Sequence, residues 1–140
     1  MDFIFLSKNH YKKYTEHINS KISKIKFNNF IDNYLNELHK IILLVDEKEN
    51  IIGSGTIIIE HKLTYGGCKM GHIENILIDK NFRGKGYGEK LVKKLLHICN
   101  EEKCYRVDLN CSSELENFYS KNGFKQKHIC MNIYFRENFK

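Results

Sequence analysis

Residues 83–88 read Arg83-Gly84-Lys85-Gly86-Tyr87-Gly88, set between the β-rich run Met70–Ile78 and the amphipathic stretch Tyr87–Glu102. Glycine lacks a Cβ, so successive backbone N–H groups can turn toward one anion without steric cost. A helix opening at that point adds the unpaired N–H groups of its first turn and the positive end of its dipole. A pyrophosphate fits such a cradle, and Arg83 and Lys85 add direct charge. The GxGxG spacing departs from the dinucleotide fingerprint GxGxxG, and no GxxxxGK[ST] loop with its Mg²⁺-binding hydroxyl is present. The stretch therefore reads as strand, anion-binding turn and helix.

Working outward, Leu91, Leu95 and Ile98 share one helical face, with Val92, Leu96 and Cys99 beside them. Arg106–Cys111 alternates as a strand, and Glu114–Lys121 reads as a short helix ended by Asn122-Gly123. Lys127–Phe135 reads as a last strand. Toward the start, Ile41–Val45 and Ile51–Ile59 read as two strands joined by the polar turn Asp46–Asn50. Gly53 and Gly55 suggest a bulge or a close backbone approach, and Tyr65-Gly66-Gly67 a turn. Phe3–Leu6 suits an edge strand. Ser7 or Asn9 can cap a helix to about Asn19, and Asn28 or Asn29 a second helix reaching Lys40. The order is strand, two helices, three strands, helix, strand, helix, strand. That is a mixed α/β domain, and 140 residues suit one such unit spanning 1–140.

Composition narrows the function. Lys, Ile and Asn number 20, 18 and 15, and Ala, Pro and Trp are absent, which points to an AT-rich coding sequence. The net charge of +6 then loses weight as a nucleic-acid signal. Only 3 of the 23 basic residues are Arg, the residue whose bidentate fork reads nucleic acid, and the lysines are scattered. A small anionic ligand is expected instead of nucleic acid. Five cysteines without CxxC spacing suit neither a disulfide framework nor a zinc site, and no metal is expected. No apolar run reaches the roughly 18 residues of a membrane span. The start, MDFIFLSKNH, lacks the pattern of a signal peptide. A cytoplasmic protein is expected.

Arg83-x-x-Gly86-x-Gly88, after a strand and opening a helix, resembles the acetyl-CoA loop of the GNAT N-acetyltransferase superfamily. Gly71-His72-Ile73-Glu74-Asn75-Ile76, Cys104-Tyr105-Arg106-Val107, Leu109-Asn110-Cys111 and Asn117–Phe124 resemble one branch, the glucosamine-6-phosphate N-acetyltransferases. The detailed likeness runs from about Gly53 to Ile133. It implies a central mixed, mostly antiparallel sheet of about six strands flanked by four helices. It also implies acetyl transfer from acetyl-CoA to glucosamine 6-phosphate, on the route to UDP-N-acetylglucosamine, in a homodimer whose last strand and substrate pocket involve both subunits.

Carried onto this chain, the resemblance implies that Ile76, Leu77 and Ile78 hold the pantetheine arm as an added strand. Arg83, Gly84, Lys85, Gly86, Tyr87, Gly88 and Glu89 would hold the pyrophosphate. Lys62, Glu74, Asn75, Tyr105 and Arg106 would line the sugar-phosphate pocket. The amine attacks directly, with no acyl-enzyme, and a strand N–H such as that of Leu77 stabilises the oxyanion. Tyr119 is the candidate acid for the departing thiolate. Glu74 is the candidate base, since a carboxylate in an apolar strand is costly unless it faces a polar pocket. Asn110, with Asn75, stands where the branch carries acids; an amide orients by hydrogen bonding but takes no proton at neutral pH. Leu115 replaces a CoA-contacting Asn. Acetylation of another small or protein amine, and a CoA-binding module without turnover, stay open as alternatives.

Overall fold

A computed structural model describes residues 1–136. The chain divides into two compact units, Met1–Leu109 and Asn110–Lys140. The first carries a five-stranded sheet in sequence order: β1 (Asp2–Phe5), β2 (His39–Val45), β3 (Ile51–Lys62), β4 (Cys68–Ile78) and β5 (Arg106–Leu109). β1 to β4 run antiparallel, and β5 returns parallel to β4. A parallel return needs a crossover, here the helix α3 (Tyr87–Glu101).

Two helices precede β2: α1 (Tyr11–His17), entered through a 3₁₀ turn at Lys8–His10, and α2 (Lys24–Tyr34). α2 begins and ends earlier than the sequence predicts. Ser23, not Asn28 or Asn29, caps it by accepting the Lys26 N–H at 3.1 Å. Leu35 is already extended, and Lys40 belongs to β2.

β2 is buried on both faces. Ile41, Leu43 and Val45 of β2 pack with Tyr14 of α1 and Phe27 of α2. The alternate residues Ile42 and Leu44 are also buried, which accounts for the unbroken apolar run in β2. α3 lies on β3 and β4. It buries Leu91, Val92, Leu95 and Cys99, and each leucine contributes about 1.5–3 kcal/mol.

The second unit holds a 3₁₀ turn at Ser113–Leu115 and α4 (Glu116–Lys121). Gly123 at φ 94° follows it, the left-handed stop that Asn122-Gly123 predicts. The expected last strand at Lys127–Phe135 is not paired among the described residues, so the sheet has five strands, not six. That stretch leaves Ile129, Met131, Ile133, Tyr134 and Phe135 exposed. Strand-like alternation cannot form a ladder without a neighbour to bond.

Candidate active site

Asp79 ends β4: its N–H donates to the Ile52 carbonyl at 2.8 Å, and its Oδ1 accepts the Asn81 N–H at 2.9 Å. One 3₁₀ turn, Lys80–Phe82, leads into the glycine loop. Phe82 and Tyr87 then meet edge to face, centroids 6.0 Å apart, at the two ends of that loop. Between them Gly84 (φ 75°) and Gly86 (φ 85°) take the left-handed conformation, which costs other residues about 1–2 kcal/mol. Gly86 is the N-cap of α3, and a Cβ added at either glycine would meet nothing within 4 Å. The loop has room for an anion and unpaired first-turn N–H groups to bind it.

Its charged side chains are partly engaged. Arg83 Nε donates to the Ile78 carbonyl at 3.0 Å, tying the loop to β4. Lys85 Nζ stands 5.8 Å from the Phe82 ring centroid. Glu89 pairs with Lys93 at 3.0 Å, so it can serve an anion through its backbone N–H.

β4 supplies the second half of the site. Its ladder with β5 runs from Met70↔Arg106 to Ile73↔Leu109 and stops there. β4 itself continues to Ile78, paired on the other side with β3. Among the described residues the β5-facing edge from Glu74 to Ile78 is therefore free to pair with an added strand. A bulge bends β4 at this point. Ser54 faces Leu77 and Thr56 faces Glu74, so Asn75 and Ile76 together oppose Gly55. Asn75 takes φ 52°, a conformation that Asn tolerates better than most residues. Gly55 has no room for a side chain, because a Cβ would lie 2.8 Å from Leu95 Cδ1.

Strand alternation puts Met70, His72 and Glu74 on one face of the sheet. Arg106 and Asp108 join that face as register partners of Met70 and His72; Glu60 joins it opposite Met70, with Lys62 two residues on. Glu74 is exposed and lies about 13 Å along β4 from the Met70 row, at 3.3 Å per residue. His72 Nε2 donates to Glu60 Oε1 at 2.9 Å, and Lys62 Nζ lies 3.3 Å from Glu60 Oε2. These two partners, His72 first, hold the Glu60 carboxyl below its ordinary range. Arg106 Nε meets Asp108 Oδ1 at 3.0 Å. The ring of Tyr105 stacks on Tyr65, centroids 5.1 Å apart.

In the second unit Asn110 is exposed, while Tyr119 is buried between Phe118 and Phe124 at 4.9 and 5.9 Å. Burial, and then the neighbouring Cys111, push its hydroxyl above the usual tyrosine value.

The structure thus joins the loop residues 83–89 to Ile76–Ile78, and gathers Lys62, Glu74 and Arg106 on one face. Several participants escape sequence reasoning: Glu60 and Asp108 as partners of the cations, Tyr65 under Tyr105, and Asn75 as the bulge residue. The first two were legible as Glu60-x-Lys62 and Arg106-x-Asp108, since strand residues two apart share a face. A cleft of about 350 Å³ opens elsewhere, lined by Lys13, His17, Asp79 and Phe82 among others, and holds none of the expected site residues. Among the described residues no three His, Cys, Asp or Glu side chains gather as metal ligands, and no helix is long and apolar enough to cross a membrane.

The chain resembles known proteins in sequence and in fold. The profile of the acetyltransferase (GNAT) family matches residues 7–124. A probable glucosamine 6-phosphate N-acetyltransferase 2 of Oryza sativa subsp. japonica is 38% identical over 104 residues, 72% of this chain and 63% of that protein. The match therefore spans less than two thirds of that relative's length. The glucosamine 6-phosphate N-acetyltransferase of Candida albicans is 33% identical over 79% of this chain and 76% of its own. The crystal structure of the Arabidopsis thaliana glucosamine-6-phosphate N-acetyltransferase superposes with a TM-score of 0.88 at 31% identity, covering 96% of this chain and 98% of that one. The chain belongs to the acetyltransferase (GNAT) family, in the branch that holds these relatives.

Proposed function

We propose that this chain transfers an acetyl group from acetyl-CoA to the amine of glucosamine 6-phosphate, giving N-acetylglucosamine 6-phosphate. The observation that carries the reading is the build of β4: an open edge at Ile76–Ile78 that leads into a glycine loop with space for a pyrophosphate. The names of the relatives support the sugar acceptor. The acceptor face supports it too, with Arg106 and Lys62 at one end and Glu74 at the other.

The backbone of Ile76, Leu77 and Ile78 pairs with the pantetheine arm, and Gly84 to Glu89 hold the pyrophosphate. Glu74 orients the amine and takes its proton as nitrogen attacks the thioester carbon; Asn75 and Asn110 orient by hydrogen bonding. A strand N–H of the open edge stabilises the oxyanion; that of Leu77, the expected donor, is turned toward β3, since Leu77 pairs with Ser54 and its carbonyl lies against Gly53. Tyr119, held protonated by its burial, donates to the sulfur as the C–S bond breaks. No residue is acylated. Both units serve one catalytic domain, a reading supported by the family match running across Leu109 and Asn110.

The same reading makes the protein a homodimer. The exposed apolar row at Ile129, Met131 and Ile133 then pairs with a second copy. A cytoplasmic setting, where thiols stay reduced, suits five free cysteines.

The test is thiol release from acetyl-CoA with glucosamine 6-phosphate, glucosamine, spermidine and a lysine peptide as separate acceptors. Turnover with glucosamine 6-phosphate alone is expected. Turnover with another acceptor alone overturns the sugar assignment, and silence with all four, alongside CoA binding, leaves a CoA-binding module.

A further inference from the structure

Four charged side chains and His72 lie across the acceptor face, each cation beside a carboxylate. Lys62 Nζ lies 3.3 Å from Glu60, Glu60 lies 2.9 Å from His72, and Arg106 Nε lies 3.0 Å from Asp108. Asp108 is the register partner of His72 on the parallel strand. Glu60 and Arg106 flank Met70 from either side, so the two ion pairs stand about 10 Å apart, two strand spacings. Both cations that the proposed function needs for a phosphate are thus already matched by carboxylates of the same chain.

We propose that Glu60 and Asp108 are specificity residues: they occupy Lys62 and Arg106 as built-in counter-ions and must be displaced by the acceptor's phosphate. This inference rests on the sugar-phosphate reading for the acceptor's identity, though not for the presence of an anion site. The physical argument is one of exchange. The side chains of both pairs are 31–46% exposed, the setting in which an ion pair holds weakly and yields to a stronger ligand. A monoanion that displaces a carboxylate swaps like for like and gains little. A phosphate monoester carries close to two negative charges at neutral pH and three strong acceptor oxygens, so it gains where the monoanion does not. The displaced carboxylates swing into water. The face is thereby a filter for dianions instead of a general trap for anions, even though its two cations are sterically open.

The test is isothermal titration of two probes into the CoA-loaded protein. One is glucose 6-phosphate, which has the phosphate and no amine, and the other is glucuronate, a sugar with a single carboxylate. Wild type, Glu60→Gln and Asp108→Asn are compared. Each variant is expected to bind glucose 6-phosphate about two- to fivefold tighter, the reach of one exposed ion pair. Glucuronate is expected to gain by a larger factor, so that the preference for the dianion narrows. Unchanged or weaker binding of both probes in both variants overturns the proposal, as does the absence of glucose 6-phosphate binding throughout. The two readings fail separately. Turnover of glucosamine 6-phosphate without tighter binding in the variants removes the counter-ion role and keeps the activity. Tighter binding in a protein that acetylates only some other amine keeps the anion filter and removes the sugar.

Discussion

A phenol serves as an acid only while it keeps its proton, and Tyr119 sits where burial favours the neutral form. Replacing Tyr119→Phe keeps the ring against Phe118 and Phe124 and removes only the hydroxyl. It is expected to lower kcat about 10-fold or more, with acetyl-CoA affinity unchanged in titration. An unchanged kcat would reduce Tyr119 to packing. His17 offers a second readout. Its Nε2 bonds Ser54 Oγ at 3.0 Å, and burial lowers its pKa, opposed by Asp79. Between that lowered value and the ordinary 6.5 the unfolded chain binds more protons than the folded one. Stability is therefore full above 6.5 and is lost as pH falls through the folded value. His17→Gln, which can still bond Ser54, is expected to flatten that fall in urea midpoints measured between about pH 5 and pH 8. A slope identical to that of wild type would clear His17 of the effect. Single residues were legible where conformation is local, as at Gly84 and Gly86, both left-handed. They were not where a partner comes from another strand: nothing near His17 in the sequence announces Ser54, and nothing near Tyr105 announces Tyr65.

Among the elements, the loop and the bulge divide the labour. Gly86→Val forces a β-branched residue to φ 85° at the mouth of α3. The expected result is an acetyl-CoA affinity lower by tenfold or more, with about 1–2 kcal/mol lost in folding stability. Surviving affinity would mean that the loop does not bind the pyrophosphate. Gly55→Ala acts differently, through space: the new Cβ meets Leu95, itself fully buried under α3. A lower thermal midpoint is expected, from about 1–3 kcal/mol of overpacking. No loss would show that Leu95 can move aside. Elements with a strong period, such as α3 and β2, were read from the sequence within one or two residues. α2 is displaced because two asparagines, at 28 and 29, compete as caps on paper while Ser23 makes the bond. Gly53 and Gly55 suggest a bulge or a close backbone approach on β3, and both occur: Ile52 is an extra residue against β2, and a Cβ at Gly53 would lie 3.1 Å from the Leu77 carbonyl. A second bulge falls on β4, where Asn75 takes the left-handed conformation opposite Gly55.

At the scale of the whole molecule, the homodimer proposal turns on the stretch from 127 to 135. Its apolar side chains are 82–89% exposed at Ile129, Met131 and Ile133. Under the homodimer proposal, sedimentation is expected to give a dimer of wild type. Replacing Ile129 and Ile133 together by lysine should give a monomer with impaired transfer. A monomeric wild type with full activity would dismiss the second copy. Periodicity alone read this stretch as a sixth strand, and the single chain lacks the neighbour such a strand needs.

The ladder between β4 and β5 stops at Ile73 and Leu109, and that early stop has a price for the resting protein. Unbonded amides beyond it are a template on which another chain could start an aggregate. The co-substrate that the site is proposed to hold covers those same amides. At a hundred times its dissociation constant, such a ligand adds about 2.7 kcal/mol to folding stability. Hydrogen exchange at Ile76 and Ile78 should then slow on loading, while that at Leu77, turned toward β3, should not change, and solutions stored without CoA should cloud first. Co-substrate binding and resistance to aggregation would then rest on the same row of backbone groups.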